Sequence, residues 1–339
     1  MPRIADLSLP LPVLAAPMAG GATTPALVIA AAAAGSLGLL AGGYRSGPQL
    51  AEQIREVRSA TDTFGVNLFA PNPIPVDPAA YATYAIDLAA VARRFDVALP
   101  PQPIEDDDDW ADKLDLLVSD PVPLVSFTFG LPPTDAIRAL HRAGSAVAQS
   151  VTSAAEARWA QGVGVDLLVV QGPGAGGHLA VFDPSVAATA PALADLVREV
   201  RAATRLPVIA GGGLADAAAV ADVVRAGATA ASIGTALLLA DEAGTSAVHR
   251  RAIADHPGPT AVTRAFTGRP ARGLVNEFMA RFDGPAPLGY PALHHLTGPL
   301  RKAAAAAGDP EWVHLWAGTG HRAATPGPVA DILARLGGR

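Results

Sequence analysis

The chain has 339 residues, of which 50% are hydrophobic and 17% are charged, so extended disorder is excluded. The formal net charge of −6 leaves no excess of basic residues, which excludes nucleic acid as an expected partner. The absence of cysteine excludes disulfides, thiolate metal sites, iron–sulfur clusters and cysteine nucleophiles, and it fits a cytoplasmic enzyme that needs no thiol.

The first predicted elements lie in an uncharged stretch from Leu7 to Tyr44. A transmembrane helix needs about 20 continuous apolar residues. Prolines and glycines interrupt this stretch throughout, at Pro10, Pro12, Pro17, Pro25, Gly35, Gly38, Gly42 and Gly43. We therefore expect two buried strands with one helix between them, and no membrane partner.

Short apolar runs alternate with helical segments as far as residue 241. Predicted strands lie at residues 12–16, 37–41, 63–69, 123–129, 145–150, 165–170, 206–210 and 228–233. Predicted helices lie at 25–34, 48–60, 79–95, 134–143, 153–162, 191–203 and 216–226, with an eighth beginning near residue 235. Strands that are apolar on both faces are typical of a parallel sheet covered by helices. Eight such units predict an α/β fold of the (β/α)₈ TIM-barrel type, and a doubly wound open sheet is the alternative.

Two segments lie outside this regular pattern. An insertion at about residues 70–120 follows the third strand, and its acidic run at 105–109 is expected to be a solvated loop. The barrel is assigned to residues 1–241. Residues 242–339 show no strand pattern, and we expect them to form a C-terminal extension of helices and loops that closes over the barrel mouth.

Two glycine-rich loops point to a phosphate site. In a barrel, the chemistry is carried by loops after the carboxyl ends of the strands. Residues 211–213 are three glycines after the seventh predicted strand, and residues 232–235 come at the end of the eighth. Glycine lets backbone amides approach an anion closely, so these loops predict a phosphate site, whereas a simple tight turn is the alternative.

A third glycine-rich loop, residues 172–178, follows the sixth strand and ends in His178. Its Gly-x-Gly-x-x-Gly pattern does not open a helix, because Pro184 and Pro191 follow, and a dinucleotide-binding fingerprint is therefore rejected. Such a loop suits close backbone contact with a flat cofactor. Histidine is the usual general base near neutral pH, so His178 is the predicted catalytic residue, and a structural histidine is the alternative.

Five other histidines are not predicted to take part in catalysis. His141, His249 and His256 are expected on helix surfaces, and His294 and His295 lie in the extension. No two histidines have metal-ligand spacing with a carboxylate nearby, so no metal is predicted.

Three further side chains are candidates for cofactor contact. Asn67 and Gln171 end the third and sixth strands, where an amide can donate to and accept from the edge of a heterocycle; capping a loop is the alternative. Met18 lies in the loop after the first strand and can pack against a ring, although core filling explains it equally well.

Taken together, these loops resemble those of the nitronate monooxygenase family, formerly the 2-nitropropane dioxygenases. The matching segments are A-P-M-A-G-G at 16–21, G-V-N at 65–67, S-F-T-F-G-L-P at 126–132, T-S-x-x-E-A at 152–157, Q-G-x-x-A-G-G-H at 171–178 and I-G-T at 233–235. The resemblance implies an FMN-dependent (β/α)₈ enzyme with His178 as the catalytic base. It also implies FMN-binding residues at Asn67, Gln171, Gly176, Gly213, Ser232, Ile233, Gly234 and Thr235.

Two positions depart from the family pattern. Gly174 stands where the family usually has Glu, and Leu179 and Ala180 stand where it often has Arg-Gly. Both departures bear on the identity of the substrate more than on the cofactor.

The implied reaction is the FMN-dependent oxidation of alkyl nitronates such as propionate 3-nitronate, and of nitroalkanes, by O₂ to a carbonyl compound and nitrite or nitrate. No nicotinamide motif is visible, which favours oxygen as the second substrate. The alternatives are a flavin-dependent enoyl-thioester reductase, an NAD(P)H:quinone reductase, and a phosphate-ligand binding barrel without turnover. A homodimer is compatible with the sequence, which does not determine the oligomeric state.

Overall fold

The computed structural model describes residues 9–185, 191–256 and 258–339. The strands are β1 (Val13–Ala15), β2 (Leu37–Ala41), β3 (Phe64–Ala70), β4 (Leu124–Phe129), β5 (Ala146–Val151), β6 (Leu167–Gln171), β7 (Gly177–His178), β8 (Val208–Gly211), β9 (Ala230–Ile233), β10 (Thr260–Thr263) and β11 (Ala271–Leu274). All except β7, β10 and β11 pair in parallel and in chain order into a closed barrel. The predicted (β/α)₈ barrel is confirmed, and the open sheet is wrong because β9 pairs with β1.

The barrel strands are apolar on both faces, so both faces have to pack against other parts of the protein. Every residue of β1 and β2 is buried. The inner layer of the barrel is filled by Leu14, Leu37, Leu39, Leu124, Ala148, Leu167, Ile209 and Ala230. Side chains on the outer face pack against the surrounding helices in a larger core. A sheet with no polar face is stable only when both faces are removed from water.

The helices in the described part of the chain are α1 (Pro25–Ala33), α2 (Gly47–Arg58), α3 (Pro78–Arg94), α4 (Trp110–Ser119), α5 (Thr134–Ala143), α6 (Ala154–Val163), α7 (Leu193–Ala203), α8 (Ala217–Arg225), α9 (Ala247–Asp255), α10 (Glu277–Phe282), α11 (Ala292–Ala306) and α12 (Val329–Leu336). Several begin at capping side chains: Thr24, Ser46 and Asp216 each accept a backbone N–H from the first turn. None of these helices is long and apolar enough to cross a membrane.

The third helix of the barrel is not the one that the sequence predicts. The predicted helix at 79–95 exists as α3, but it packs on α11 and belongs to a second apolar core outside the barrel. Instead α4 contacts β3 and the neighbouring helices α2 and α5, so it occupies the position of the third barrel helix. The inserted segment therefore ends before Trp110, and not near residue 120.

The eighth helix of the barrel also differs from the prediction. Only a single turn of 3-10 helix, Thr235–Leu237, follows β9. The vacant position is filled from the end of the chain by α12, which contacts α1, α8 and β1. Its buried face consists of residues at helical spacing, namely Val329, Ile332, Leu333 and Leu336. The expected extension at 242–339 thus contributes one helix to the outer layer of the barrel.

The extension also contains strands, although the sequence showed no strand pattern there. β10 and β11 pair antiparallel, and β11 pairs with β7 of the glycine-rich loop, which places Ala271 opposite His178. These strands are four residues or shorter, too short to produce a recognisable alternation of apolar and polar residues. This small sheet ties the extension to the loop that carries His178.

Candidate active site

A cavity of about 620 Å³ opens at the carboxyl ends of the barrel strands, beneath the extension. Its volume lies within the range typical of ligand and cofactor sites. The structure brings all of the residues predicted from the sequence to its wall: Met18, Asn67, Gln171, Gly176, His178, Gly213, Ser232, Ile233, Gly234 and Thr235. These residues come from five separate regions of the chain, so the barrel topology assembles the site.

The glycine loops leave backbone exposed where a side chain would not fit. Gly212 and Gly213 have φ angles of 121° and 76°, in the region that favours glycine. A Cβ on Gly176 would lie 2.5 Å from the backbone nitrogen of Gly318. The backbone N–H groups of Gly213 and Gly234 donate to no acceptor among the described residues. Open amides of this kind form a cradle for an anionic oxygen.

A segment of the extension, residues 318–320, closes one side of this cradle. Gly318 N donates to Thr235 Oγ1 at 2.9 Å, and Thr319 N donates to the carbonyl of Gly174 at 3.0 Å. A Cβ on Gly174 would lie 2.7 Å from Thr319 Oγ1. The space next to Gly174, where the family usually has Glu, is therefore occupied by this closing segment.

Asn67 and Gln171 play different parts, although the sequence suggested one role for both. Asn67 Nδ2 donates to Ser126 Oγ at 2.8 Å and to Thr128 Oγ1 at 3.1 Å, so its orientation is determined by neighbouring strands. Gln171 instead binds the loop that it precedes: Nε2 donates to the His178 carbonyl at 3.1 Å, and Oε1 accepts the Ala180 N–H at 2.8 Å. Gln171 thus positions the loop that carries His178.

The hydrogen bonds around His178 determine which of its ring nitrogens carries the proton. His178 Nε2 lies 2.9 Å from Thr267 Oγ1. The Thr267 hydroxyl donates its single proton to the Arg269 carbonyl at 3.1 Å, so toward the ring it acts as an acceptor. With that proton on the Arg269 carbonyl, we assign the Nε2–H tautomer to His178, which leaves the lone pair on Nδ1.

The surroundings of His178 keep its imidazole neutral. The rings of Phe129, Tyr290 and Trp316 lie 5.6 to 5.7 Å from it, centroid to centroid. Burial, together with the positive charges of Arg269 and Arg301, lowers the pKa of His178 to about 3. At neutral pH the ring is therefore unprotonated.

Three further histidines line the cavity that the sequence did not assign to it, namely His249, His294 and His314. His249 was expected on a helix surface, but it lines the cavity, its Nε2 is buried without a partner, and burial lowers its pKa to about 4. His294 also lines the cavity and stacks on Tyr44, with ring centroids 4.3 Å apart. Along α11, His294, Gly298 and Arg301 recur at spacings of four and three, so one face of this helix lines the cavity.

The acidic run at 105–109 was expected to be a solvated loop, but two of its residues form ion pairs with other parts of the protein. Asp108 Oδ2 lies 2.8 Å from the ammonium of Lys113, whose side chain is buried in α4, and Asp108 Oδ1 accepts the N–H of Tyr44 at 2.8 Å. Asp106 pairs with His295 at 2.7 Å. The run therefore joins the insertion to the two elements that carry the stacked Tyr44 and His294.

The neutral histidines predict that the folded protein loses stability in mild acid. The pKa values of His178 and His249 lie below their ordinary value, so between about pH 4 and 6.5 the unfolded chain binds more protons than the folded one. Each histidine should lower the free energy of unfolding by up to about 1 kcal/mol between pH 7 and 5.5. Urea titrations at the two pH values measure this, and His249→Asn should reduce the difference. An unchanged difference in that variant would contradict the assignment, and His141→Asn, on an exposed histidine, is the control.

No group of three or more histidine, aspartate or glutamate side chains in the described residues is arranged to hold a metal ion.

Fold and site together define the class of protein. A closed (β/α)₈ barrel with its cavity, glycine loops and neutral histidine at the carboxyl ends of the strands is a barrel enzyme, with its chemistry at the mouth. The family model described as nitronate monooxygenase matches residues 2–337. The chain therefore belongs to the nitronate monooxygenase family, and it is a flavin-dependent oxidoreductase of nitro compounds.

Relatives and solved structures agree with this membership. Probable nitronate monooxygenases of Staphylococcus saprophyticus and Bacillus subtilis are 34% and 35% identical, over 93% and 94% of this chain and 90% and 92% of theirs. A nitroalkane oxidase structure from Streptomyces ansochromogenes is 41% identical with a TM-score of 0.93, covering 98% of this chain and 97% of that one. FabK from Thermotoga maritima is more distant, at 27% identity and a TM-score of 0.74, with coverage of 98% and 94%.

Proposed function

We propose that this chain binds FMN and oxidises alkyl nitronates, such as propionate 3-nitronate, with O₂ as the second substrate, to a carbonyl compound and nitrite or nitrate. The observation that carries the proposal is the neutral His178 on a glycine-rich loop, in the same cavity as the open amides of Gly213 and Gly234. A proton acceptor and an anion cradle in one cavity suit a phosphate-bearing redox cofactor next to a substrate that loses a proton.

The residues present fit FMN. The amides of Gly213, Gly234 and Thr235, which line the cavity, would receive its phosphate. Asn67 Oδ1 has no partner among the described residues and would meet the edge of the ring system, and Met18 would pack against the ring. FMN, when bound, supplies the electron acceptor for the substrate carbon.

His178 would act on the substrate proton. Its Nδ1 carries the lone pair, because Nε2–H is held by Thr267. A neutral nitroalkane has to lose its α-proton before oxidation, and Nδ1 would accept it. A preformed nitronate has already lost this proton, so with that substrate His178 can contribute only to binding and orientation.

Thr267 is the positioning residue for this base. Thr267→Val removes the acceptor of the Nε2–H bond while keeping the shape of the side chain, and we expect turnover of a neutral nitroalkane to fall about tenfold. Thr267→Ser keeps the hydroxyl and should restore the rate, which a purely structural role would not predict. Steady-state kinetics of the two variants measure this. Equal losses in both variants would contradict the positioning role.

Two measurements test the proposal. Heating the purified protein should release FMN and not FAD, as identified by chromatography. Oxygen uptake should follow addition of ethyl nitronate, whereas NADH should not be consumed with an enoyl thioester or a quinone. NADH oxidation without nitronate activity would favour the reductase alternatives, and a protein that stays colourless after incubation with FMN would favour a binding barrel.

From the sequence alone, we also propose a cytoplasmic location and a homodimer.

A further inference from the structure

Arg301 is a buried cation in the wall of the cavity. Its side chain lies in the middle of α11, and the residue is 6% exposed. Its hydrogen-bond partners among the described residues are all uncharged. Nε donates to Thr297 Oγ1 at 3.0 Å, and Nη2 lies 2.8 Å from the His294 carbonyl and 3.3 Å from His294 Nδ1. Nη1 lies 3.2 Å from His314 Nδ1 and 3.4 Å from its Nε2, so one N–H of Nη1 is all that these contacts leave for a ligand.

The charge of Arg301 has no counter-charge in the described residues. Among the residues that the structure describes, no carboxylate lies within ion-pairing distance of it and none lines the cavity, although acidic residues outnumber basic ones by 31 to 25 in the chain. Burying a guanidinium without an anion is unfavourable, and burial lowers the pKa of Arg301 to about 10. A site that keeps such a cation is suited to receive its anion from a ligand.

We propose that Arg301 is the docking residue for a planar oxyanion of the substrate, either the nitronate group itself or a carboxylate elsewhere on the same molecule. The uncompensated charge attracts such an anion, and the remaining N–H of Nη1 can donate to one of its oxygens in a charge-assisted hydrogen bond. The inference rests on the proposed function and deepens it, because it makes the enzyme select anionic substrates over neutral nitroalkanes.

Contacts in the structure separate this site from the phosphate cradle. The hydrogen bonds of Arg301 go to residues of α11 and to His314, and among the described residues none goes to a cradle glycine. The ring of Trp316 connects Arg301 to His178: its centroid lies 5.5 Å from that of His314, which Arg301 contacts, and 5.7 Å from that of His178. The anion that it binds is therefore placed on the side of the cavity where His178 would meet the substrate.

Nitrate, a planar monoanion that cannot be oxidised, is the probe for the test. Isothermal titration of the protein as purified gives its affinity, and competition with ethyl nitronate gives the same constant independently. We expect Arg301→Gln to weaken nitrate binding about tenfold to a hundredfold and Arg301→Lys to weaken it less, because Lys keeps the charge and loses the fork. Arg335→Gln, on the exposed face of α12, removes the same charge elsewhere and should leave the affinity unchanged.

Kinetics separate the two sources of the oxyanion. If the nitronate group docks, kcat/KM for ethyl nitronate should fall in Arg301→Gln about as much as nitrate affinity, and that for neutral nitroethane should not. If a carboxylate docks, the loss should appear with 3-nitropropionate and be absent with ethyl nitronate. Flavin content should match the wild type; its loss would assign Arg301 to the cofactor and overturn the proposal.

The remaining outcomes distinguish this inference from the proposed function. Nitrate that fails to compete with any anionic substrate in the wild type would overturn the docking role without the need for a variant, even if Arg301→Gln does not fold. If a folded Arg301→Gln variant turns over nitronate and binds nitrate with unchanged affinity, the docking role is overturned and the proposed function stands. Arg301-dependent nitrate binding without nitronate turnover would support the docking site and overturn the proposed function.

Discussion

His178→Asn is expected to lower turnover of a neutral nitroalkane by about 10²–10⁴-fold, the usual contribution of a positioned general base. Asparagine has a similar size and retains some hydrogen bonding toward Thr267, but it cannot accept the α-proton. The loss on a preformed nitronate should be clearly smaller, since that substrate arrives deprotonated. Oxygen-uptake rates on nitroethane and on ethyl nitronate, measured on the same preparations, give the two numbers.

The flavin content and a second histidine variant serve as controls for this experiment. The flavin content of His178→Asn should equal that of the wild type, because the residues proposed to hold FMN are unchanged. His141→Asn replaces a half-exposed histidine that pairs with Asp166 on the outside of the barrel, and it should leave both rates unaltered. Equal losses on the two substrates would make His178 a residue of binding or of the oxidation step. No loss on either substrate would leave it a structural histidine.

Gly213→Asp is expected to abolish stable FMN binding, with the barrel still folded. The residue has a φ of 76°, and its backbone N–H faces the cavity without a partner. A carboxylate there would face the cofactor phosphate, and two like charges at 4 Å repel by about 4 kcal/mol at an effective dielectric constant of 20. We therefore expect FMN affinity to fall by at least about a hundredfold, as measured by titration of the apoprotein with FMN.

A matched series separates charge from shape at this position. Gly213→Asn adds the same Cβ, which would lie 2.8 Å from the rotatable Thr319 Oγ1, without the charge, and asparagine tolerates this backbone region. It should lose much less affinity than the aspartate variant. Gly144→Asp has a comparable φ of 99° at the end of α5, in open space, and should retain full flavin content. Normal FMN affinity in Gly213→Asp would place the phosphate elsewhere in the cavity.

The strands of the barrel could be predicted from the sequence because each is a short apolar run bounded by glycine or proline. This pattern depends only on burial of both faces, which a parallel sheet imposes locally. Two of the eight helices could not be assigned in the same way. An amphipathic helix shows that it has an apolar face, but not which surface covers that face, so α3 was assigned to the barrel while it packs against α11. The position after β9 is filled by α12, almost a hundred residues along the chain from it.

The residues of the candidate site also fall into two groups, those that the sequence predicted and those that only the tertiary structure placed there. By itself, the sequence determined the barrel fold, the family, and the loops that line the cavity: Asn67, the 171–178 loop, Gly213 and residues 232–235 each follow a barrel strand, and parallel strands bring their carboxyl ends to one side. Only the tertiary structure decided the other wall. His249, His294 and Arg301 come from helices of the extension, and Thr267 from a loop between β10 and β11. Their role follows from the way in which the extension folds back over the barrel mouth, and no local periodicity encodes a contact between segments so far apart in the chain.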